Sequence, residues 1–389
     1  MCALCYKNAR FGGVLVVAGC RAVDVLSFGF GCVDEKLRHV LLLSSGIAAH
    51  DGVPWCIGMI ITRTPYRISF FGGGTDYPDW FRLHGGAVLS TTIDKYCYIS
   101  CRNLPPFFEH KHRIVYSVIE NVRSNQDIAH PCVKAVFQWA GIENGLEIHH
   151  DGDLPARSGI GSSSSFTVGL VQAIYALRSH LVSQGQLARD AIHIEQDLIG
   201  EHVGSQDQVA AAYGGFNHIE FKPDGQFNVS PVMITNERRE ELSSHLMLCF
   251  TGVSRVADAI AHSQILNLHK RRDELTMMRQ MVDQALAILA QKSTPISEFG
   301  QLLHESWRYK RMLSDQVTTP HIDQLYQTAL DYGAIGGKIL GAGGGGFLLL
   351  FAEPHRQAAI REALKDLVHV GFKFDNSGSR TVLYQPNGL

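Results

Sequence analysis

Regular hydrophobic patterning begins abruptly at Met59. Ile60-Ile61-Thr62-Arg63-Thr64 is β-branched and reads as a strand that ends at Pro65. Residues 87–102 contain Thr91-Thr92-Ile93 and Tyr96-Cys97-Tyr98-Ile99, a second strand-rich region. The period then changes: Phe166, Leu170, Ile174 and Leu177 recur at three- and four-residue spacing, which predicts a helix over 162–177. Residues 191–203 predict another helix. Late in the chain, Ile339-Leu340 and Phe347–Phe351 flank a glycine run and read as two strands. Strands interleaved with helices point to an α/β or α+β architecture. Polar, charged residues 228–241 separate two patterned halves, so segments 59–240 and 241–389 are the expected domains. No internal repeat is evident.

Residues 1–58 follow neither period and are read as an atypical N-terminal extension, with Met59 a candidate for the true start. Val17-Ala18-Gly19-Cys20, behind Lys7 and Arg10, has the outline of a lipoprotein signal, but its apolar core is short for one. Cys2 and Cys5 form one CxxC, and Cys20 and Cys32 do not supply the second that a zinc site needs. Composition narrows the class further. Apolar residues make up 45% and charged residues 19%, which is globular, and a net charge of −2 gives no field for nucleic acid. Apolar runs such as 346–352 are too short to cross a membrane. Nine cysteines without a disulfide framework fit a reducing cytoplasm. The expected protein is cytoplasmic and works on a small molecule.

Candidate chemistry gathers in four places. Leu154-Pro155-Ala156-Arg157-Ser158-Gly159-Ile160-Gly161-Ser162-Ser163-Ser164-Ser165 leads straight into a predicted helix. Glycines permit a tight bend and close approach, and helix N-terminal N–H groups attract an anion, so this reads as a phosphate loop. No Walker motif occurs. Glu195 shares an apolar helix face with Ile192 and Ile199, a costly place for a carboxylate unless it meets a cation or donor. Asp207 follows the turn Gly204-Ser205-Gln206 and is a candidate base. Arg67 precedes Gly72-Gly73-Gly74-Thr75-Asp76-Tyr77, a cation beside a flexible loop and a carboxylate that can bind hydroxyls. Residues 341–346 formally contain GxGxxG, but a strand follows instead of a helix, so a dinucleotide fold is excluded. A glycine turn packed against another loop is the better account.

These segments, in this order, resemble the three motifs of the GHMP kinases, over roughly Met59 to the C-terminus. Residues 67–77 differ from the galactokinase pattern, which has Glu-His where this chain has Gly73-Gly74. The stretch through Asp94-Lys95-Tyr96 and Asp153–Gly159 is more similar to the branch that phosphorylates D-glycero-α-D-manno-heptose 7-phosphate at its anomeric hydroxyl. The resemblance implies an α+β fold: an N-terminal domain like the second domain of ribosomal protein S5, and a ferredoxin-like C-terminal domain. It implies ATP and Mg²⁺ as cofactors and a sugar phosphate as substrate. On this reading Pro155, Arg157, Ser158, Gly159, Ile160, Gly161, Ser162, Ser163 and Ser164, with Gly343 and Gly344, hold the nucleotide. Ser163 and Glu195 hold the metal, Asp207 takes the proton, and Arg67 stabilises charge beside it. Gly74, Thr75, Asp76 and Tyr77 meet the sugar, and Arg255, Lys310 and Arg311 are candidates for its phosphate. Kinases of fucose, galactose or an octose phosphate would share the catalytic residues. A non-catalytic sugar sensor would be expected to lose Glu195, Asp207 or the glycine–serine loop. The assembly expected is a monomer or homodimer.

Overall fold

The first sheet grows around two long strands. In the computed structural model, which describes residues 58–252 and 257–386, β1 (Met59–Phe71) pairs antiparallel with β2 (Gly86–Asn103) along most of its length. Pro65 does not end β1. The ladder shifts register between Pro65 and Arg67, so the missing proline N–H falls at an irregularity and the strand continues. β3 (His112–Val115), β4 (Ile119–Val122) and β5 (Leu146–Gly152) extend the sheet in the order β1-β2-β5-β3-β4. β6 (Phe216–Phe221) pairs with the first part of β2 and with β7 (Phe227–Pro231).

The second sheet has the order β11-β8-β10-β9, with β8 (Leu246–Phe250), β9 (Ala334–Ile339), β10 (Phe347–Ala352) and β11 (Val368–Val370) all antiparallel. Helices separate β8 from β9 and β10 from β11, which makes a β-α-β-β-α-β unit of ferredoxin-like type. The chain then returns to the first sheet: β12 (Phe374–Asp375) pairs with β2, and β13 (Arg380–Gln385) with β1. The described residues all belong to one compact unit, Trp55–Leu389. The N-terminal extension read from residues 1–58 lies, but for Gly58, outside the described residues, as does Arg255.

Aromatic rings join the two sheets. Phe299, on the helix Ser297–Met312, meets Phe70 and Phe71 edge-on at 5.5 and 5.1 Å, and Phe351 of β10 at 6.2 Å. The predicted helix over 162–177 is present as Ser162–Leu177 and packs against β1 and β2. The helix predicted over 191–203 starts earlier and stops sooner. Ser183 Oγ caps an α-helix Gln184–His193, a π-helical turn Ile194–Ile199 follows, and left-handed Gly200 ends it. Such wide turns cluster at functional sites, and this one carries Glu195.

Candidate functional site

Arg67 ties three elements together. Its backbone N–H donates to Ile160 O at 3.1 Å, and Nη1 donates to Gly159 O, so β1 is stitched to the glycine loop. Nε and Nη2 donate to Asp207 Oδ1 and Oδ2, both at 2.6 Å. This two-pronged pair holds a carboxylate in one orientation at the start of the helix Gln206–Tyr213. The Arg67 side chain is buried, whereas Asp207 keeps 23% of its side chain exposed. The carboxylate therefore stays partly accessible beside the loop.

The loop itself is shaped by what surrounds it. Gly159 (φ +84) and Gly161 (φ +74) are left-handed, and so is Arg157 (φ +58), a strained conformation for a residue with a side chain. Arg157 N–H donates to Ser162 Oγ at 3.1 Å, and Ser158 Oγ donates to Pro155 O at 2.6 Å. Gly161 caps the helix Ser162–Leu177, so the first N–H groups of that helix point back across the loop. The glycine turn 341–346 packs against it: Phe347 N–H donates to Ser158 O, and a Cβ on Gly341 would lie 2.6 Å from Gly159 Cα. Gly344 N–H donates to Val317 O at 2.8 Å, and Gly343 approaches the same carbonyl. A Cβ on left-handed Gly346 would sit 2.2 Å from Ser158 O. Gly346→Ala is therefore expected to destabilise the protein by more than about 1 kcal/mol. A melting midpoint matching the wild type would contradict this packing.

Glu195 lies behind the first turn of the same helix, 1% exposed. Ser164 Oγ donates to Glu195 Oε2 at 2.9 Å, and Gln208 Nε2 donates to the same oxygen. Oε1 has no partner. Burial lifts the carboxyl to about 7, aided by Glu201 and opposed by the nearby Thr167 hydroxyl and by the hydrogen bonds of Gln208 and Ser164. Ser163 is exposed on that turn, and Ser164 makes the direct contact. Among the described residues no group of three or more His, Cys, Asp or Glu side chains could hold a metal by itself.

The Gly74–Tyr77 segment is more buried than its sequence suggests. Gly74 N–H donates to Asp76 Oδ1, while Thr75 Oγ1 is bonded to Gly72 O and Ala87. Tyr77 is buried and starts the helix Pro78–His84. Burial raises the Asp76 carboxyl above the usual range, partly offset by backbone N–H groups of Gly74 and Gln206.

The basic residues Arg308, Lys310 and Arg311 of the helix Ser297–Met312 do not share one face. Arg308 pairs with Glu305, and Arg311 with Asp323 at 3.3 Å. Lys310 is turned inward, its Nζ donating to Gly341 O, with Ile339 O at 3.5 Å. Burial, and then Arg67, press it down to about 8, while Asp76 and Asp207 act the other way. Lys338 on β9 is also buried and donates to Phe70 O at 2.9 Å. Burial, with Lys310 and Arg67, drives it well below the ordinary lysine range. Gln206, Gln208 and Lys338 were not signalled as site residues by sequence; only the polar Gln-Asp-Gln run marked the first two.

Lys310 gives a pH prediction. With a folded value near 8 and an ordinary value of 10.5, the unfolded chain binds more protons between those limits. Stability contributed by this residue therefore rises as pH climbs through that window. Wild type should gain on Lys310→Met between pH 8 and 10 in urea unfolding. Parallel profiles would contradict a buried, charge-strained Lys310.

Most of the chain matches known proteins. Residues 127–215 match the model for the GHMP kinases N terminal domain, and residues 286–369 that for GHMP kinases C terminal. The D-glycero-alpha-D-manno-heptose 7-phosphate kinase of Campylobacter jejuni subsp. jejuni is 30% identical over 318 residues, covering 79% of this chain and 93% of that protein. The chain belongs to the GHMP kinases. It is a phosphotransferase carrying the two-domain fold of that family. A galactokinase of Streptococcus thermophilus is 26% identical, covering 77% of this chain and 87% of that protein. In structure, a D-glycero-D-manno-heptose 1-phosphate kinase from Bacteroides thetaiotaomicron superposes with a TM-score of 0.68 at 24% identity, covering 83% of this chain and 99% of that one. At that identity the likeness carries the fold alone. Among the described residues no helix is long and apolar enough to cross a membrane.

Proposed function

We propose that this GHMP kinase transfers the γ-phosphoryl of ATP, with Mg²⁺, to the anomeric hydroxyl of D-glycero-D-manno-heptose 7-phosphate, giving the 1,7-bisphosphate. The observation that carries the reaction type is the Arg67–Asp207 pair held against the glycine–serine loop. The heptose rests on similarity to the Campylobacter enzyme and on the Gly73-Gly74 departure from galactokinases.

The residues fit both cofactors. The left-handed loop at Gly159 and Gly161 and the helix N-terminus offer backbone N–H groups to phosphates. Glu195 presents a buried oxygen with no partner beside a serine-bearing turn, a donor set suited to a hard cation that keeps several waters. Glu195 with Ser163 or Ser164 would hold Mg²⁺, which supplies charge neutralisation for the phosphates.

Asp207 accepts the proton of the attacking sugar hydroxyl as its oxygen bonds to the γ-phosphorus and the bond to the leaving diphosphate breaks. Arg67 fixes both Asp207 oxygens, so one carboxylate orientation is presented without reorganisation during transfer. The Gly341 turn closes the other side of the loop, braced by Lys310. Phosphorus NMR of the product tests the regiochemistry. A new anomeric phosphate on the 7-phosphate substrate supports the proposal, and a phosphate at any other position rejects it.

A further inference from the structure

One charged side chain grips the glycine turn that packs on the glycine–serine loop. Lys310 is 4% exposed and its Nζ donates to Gly341 O. Among the described residues, the other side-chain donors to this turn are neutral. Gln264 Nε2 donates to Ala342 O at 2.7 Å, and Thr251 Oγ1 to Gly346 O at 2.8 Å. Gly341 sits hard against Gly159. A Cβ on Gly341 would lie 2.9 Å from Gly159 O, and one on Gly159 would lie 2.4 Å from Leu340 O. With backbone against backbone, neither segment shifts without the other. Gly159 O also accepts from Arg67 Nη1, and Arg67 grips both Asp207 oxygens. Contacts therefore run unbroken from Lys310 through Gly341, Gly159 and Arg67 to Asp207. Such a path carries coupling only if one of its links has two states.

Lys310 supplies those states. Burial, and then Arg67 of β1, press its ammonium down to about 8, while Asp76 and Asp207 favour the charge. Lys338 of β9 is a further positive neighbour. The remaining charges nearby are occupied: Arg308 and Arg311 pair with Glu305 and Asp323, and on the adjoining helix Arg272–Ala290, Arg279 pairs with Asp283. A charged donor holds a carbonyl roughly twice as strongly as a neutral one. We propose that Lys310 is a positioning residue for phosphoryl transfer: its ammonium holds the 341–346 turn where Gly159 and Arg67 present Asp207 to the substrate, and loss of its proton slackens that grip and slows turnover. The inference rests on the kinase reading and replaces the expectation that Lys310 meets the sugar's phosphate. Its sealed side chain has almost no surface left for a ligand. Stability and turnover then move in opposite directions. Between 8 and 10.5, neutralising the buried amine makes the fold more stable, while the rate falls. A purely structural residue would move both together.

The test is kcat and KM of the full chain and of Lys310→Met on heptose 7-phosphate, with saturating ATP and Mg²⁺. The range runs from about pH 7 to about 9.5, above the phosphate titration at about 6. Wild-type kcat should fall about five-fold through an apparent value near 8. Lys310→Met should be about ten-fold slower at neutral pH, flat across the range, and unchanged in sugar KM. Lys310→Arg keeps its charge throughout, so its rate should recover and show no alkaline fall. Should neither variant fold, the wild-type profile decides alone. A wild-type kcat that stays flat, or an alkaline fall that persists in Lys310→Met, would overturn the proposal. So would a raised sugar-phosphate KM with kcat intact, which would make Lys310 a phosphate ligand. Wild type that turns over no sugar phosphate at any pH would overturn the kinase reading, and the positioning role with it.

Discussion

Asp207→Asn is expected to bind ATP as the wild type does and to turn over about 10²–10⁴-fold more slowly. The reason is geometric as much as chemical. The substitution keeps the size of the side chain but replaces one acceptor of Arg67 with an amide nitrogen, so one prong of the pair is lost along with the base. The glycine–serine loop proposed to hold the nucleotide is shaped by Gly159, Gly161 and the 341–346 turn, none of which depends on Asp207 basicity. ATP affinity by calorimetry and ADP release separate the two effects. Near-normal turnover would remove Asp207 from the reaction.

The second large effect is expected at Arg67. Arg67→Met leaves Asp207 without its charge partner and frees the carbonyl of Gly159. Breaking one side of a buried pair costs about 3–5 kcal/mol, and the partial exposure of Asp207 places this case at the lower end. Arg67→Lys retains the charge but loses the fork that fixes both carboxylate oxygens. That variant should fold near normally, and a misplaced base should cost about 10²-fold in turnover. Urea unfolding and steady-state rates, read together, distinguish the outcomes. A fully active Arg67→Lys enzyme would mean that charge alone suffices and that the two-pronged geometry is incidental.

Much of this site was legible in the sequence because its chemistry lies in short local motifs. The glycine–serine run ahead of an apolar-periodic helix announced a helix N-terminus open to an anion, and Ser162–Leu177 is that helix. Residues 341–346, followed by a strand, announced a turn packed on another loop, and Gly341 and Gly346 abut residues 158–159. Glu195 on an apolar face announced a buried carboxylate. What escaped depends on distant parts of the chain. Pro65 reads locally as a strand end, yet the ladder around it absorbs the missing donor. The helix before Glu195 widens into a π turn that periodicity does not encode. Lys310 and Arg311 are adjacent in sequence, but neighbouring helix positions face different surroundings: one is sealed beneath Gly341 and the other pairs with Asp323. Lys338 reaches Phe70 across 268 residues, a contact no local pattern carries.

A sugar-phosphate kinase working through Asp207 is tested by ADP release with ATP and Mg²⁺ across free hexoses, fucose, and hexose, heptose and octose phosphates, beside the Asp207→Asn control. Strong, Asp207-dependent turnover of heptose 7-phosphate is expected, with little on free sugars. Turnover that survives in Asp207→Asn, or none on any sugar phosphate despite ATP binding, would contradict it.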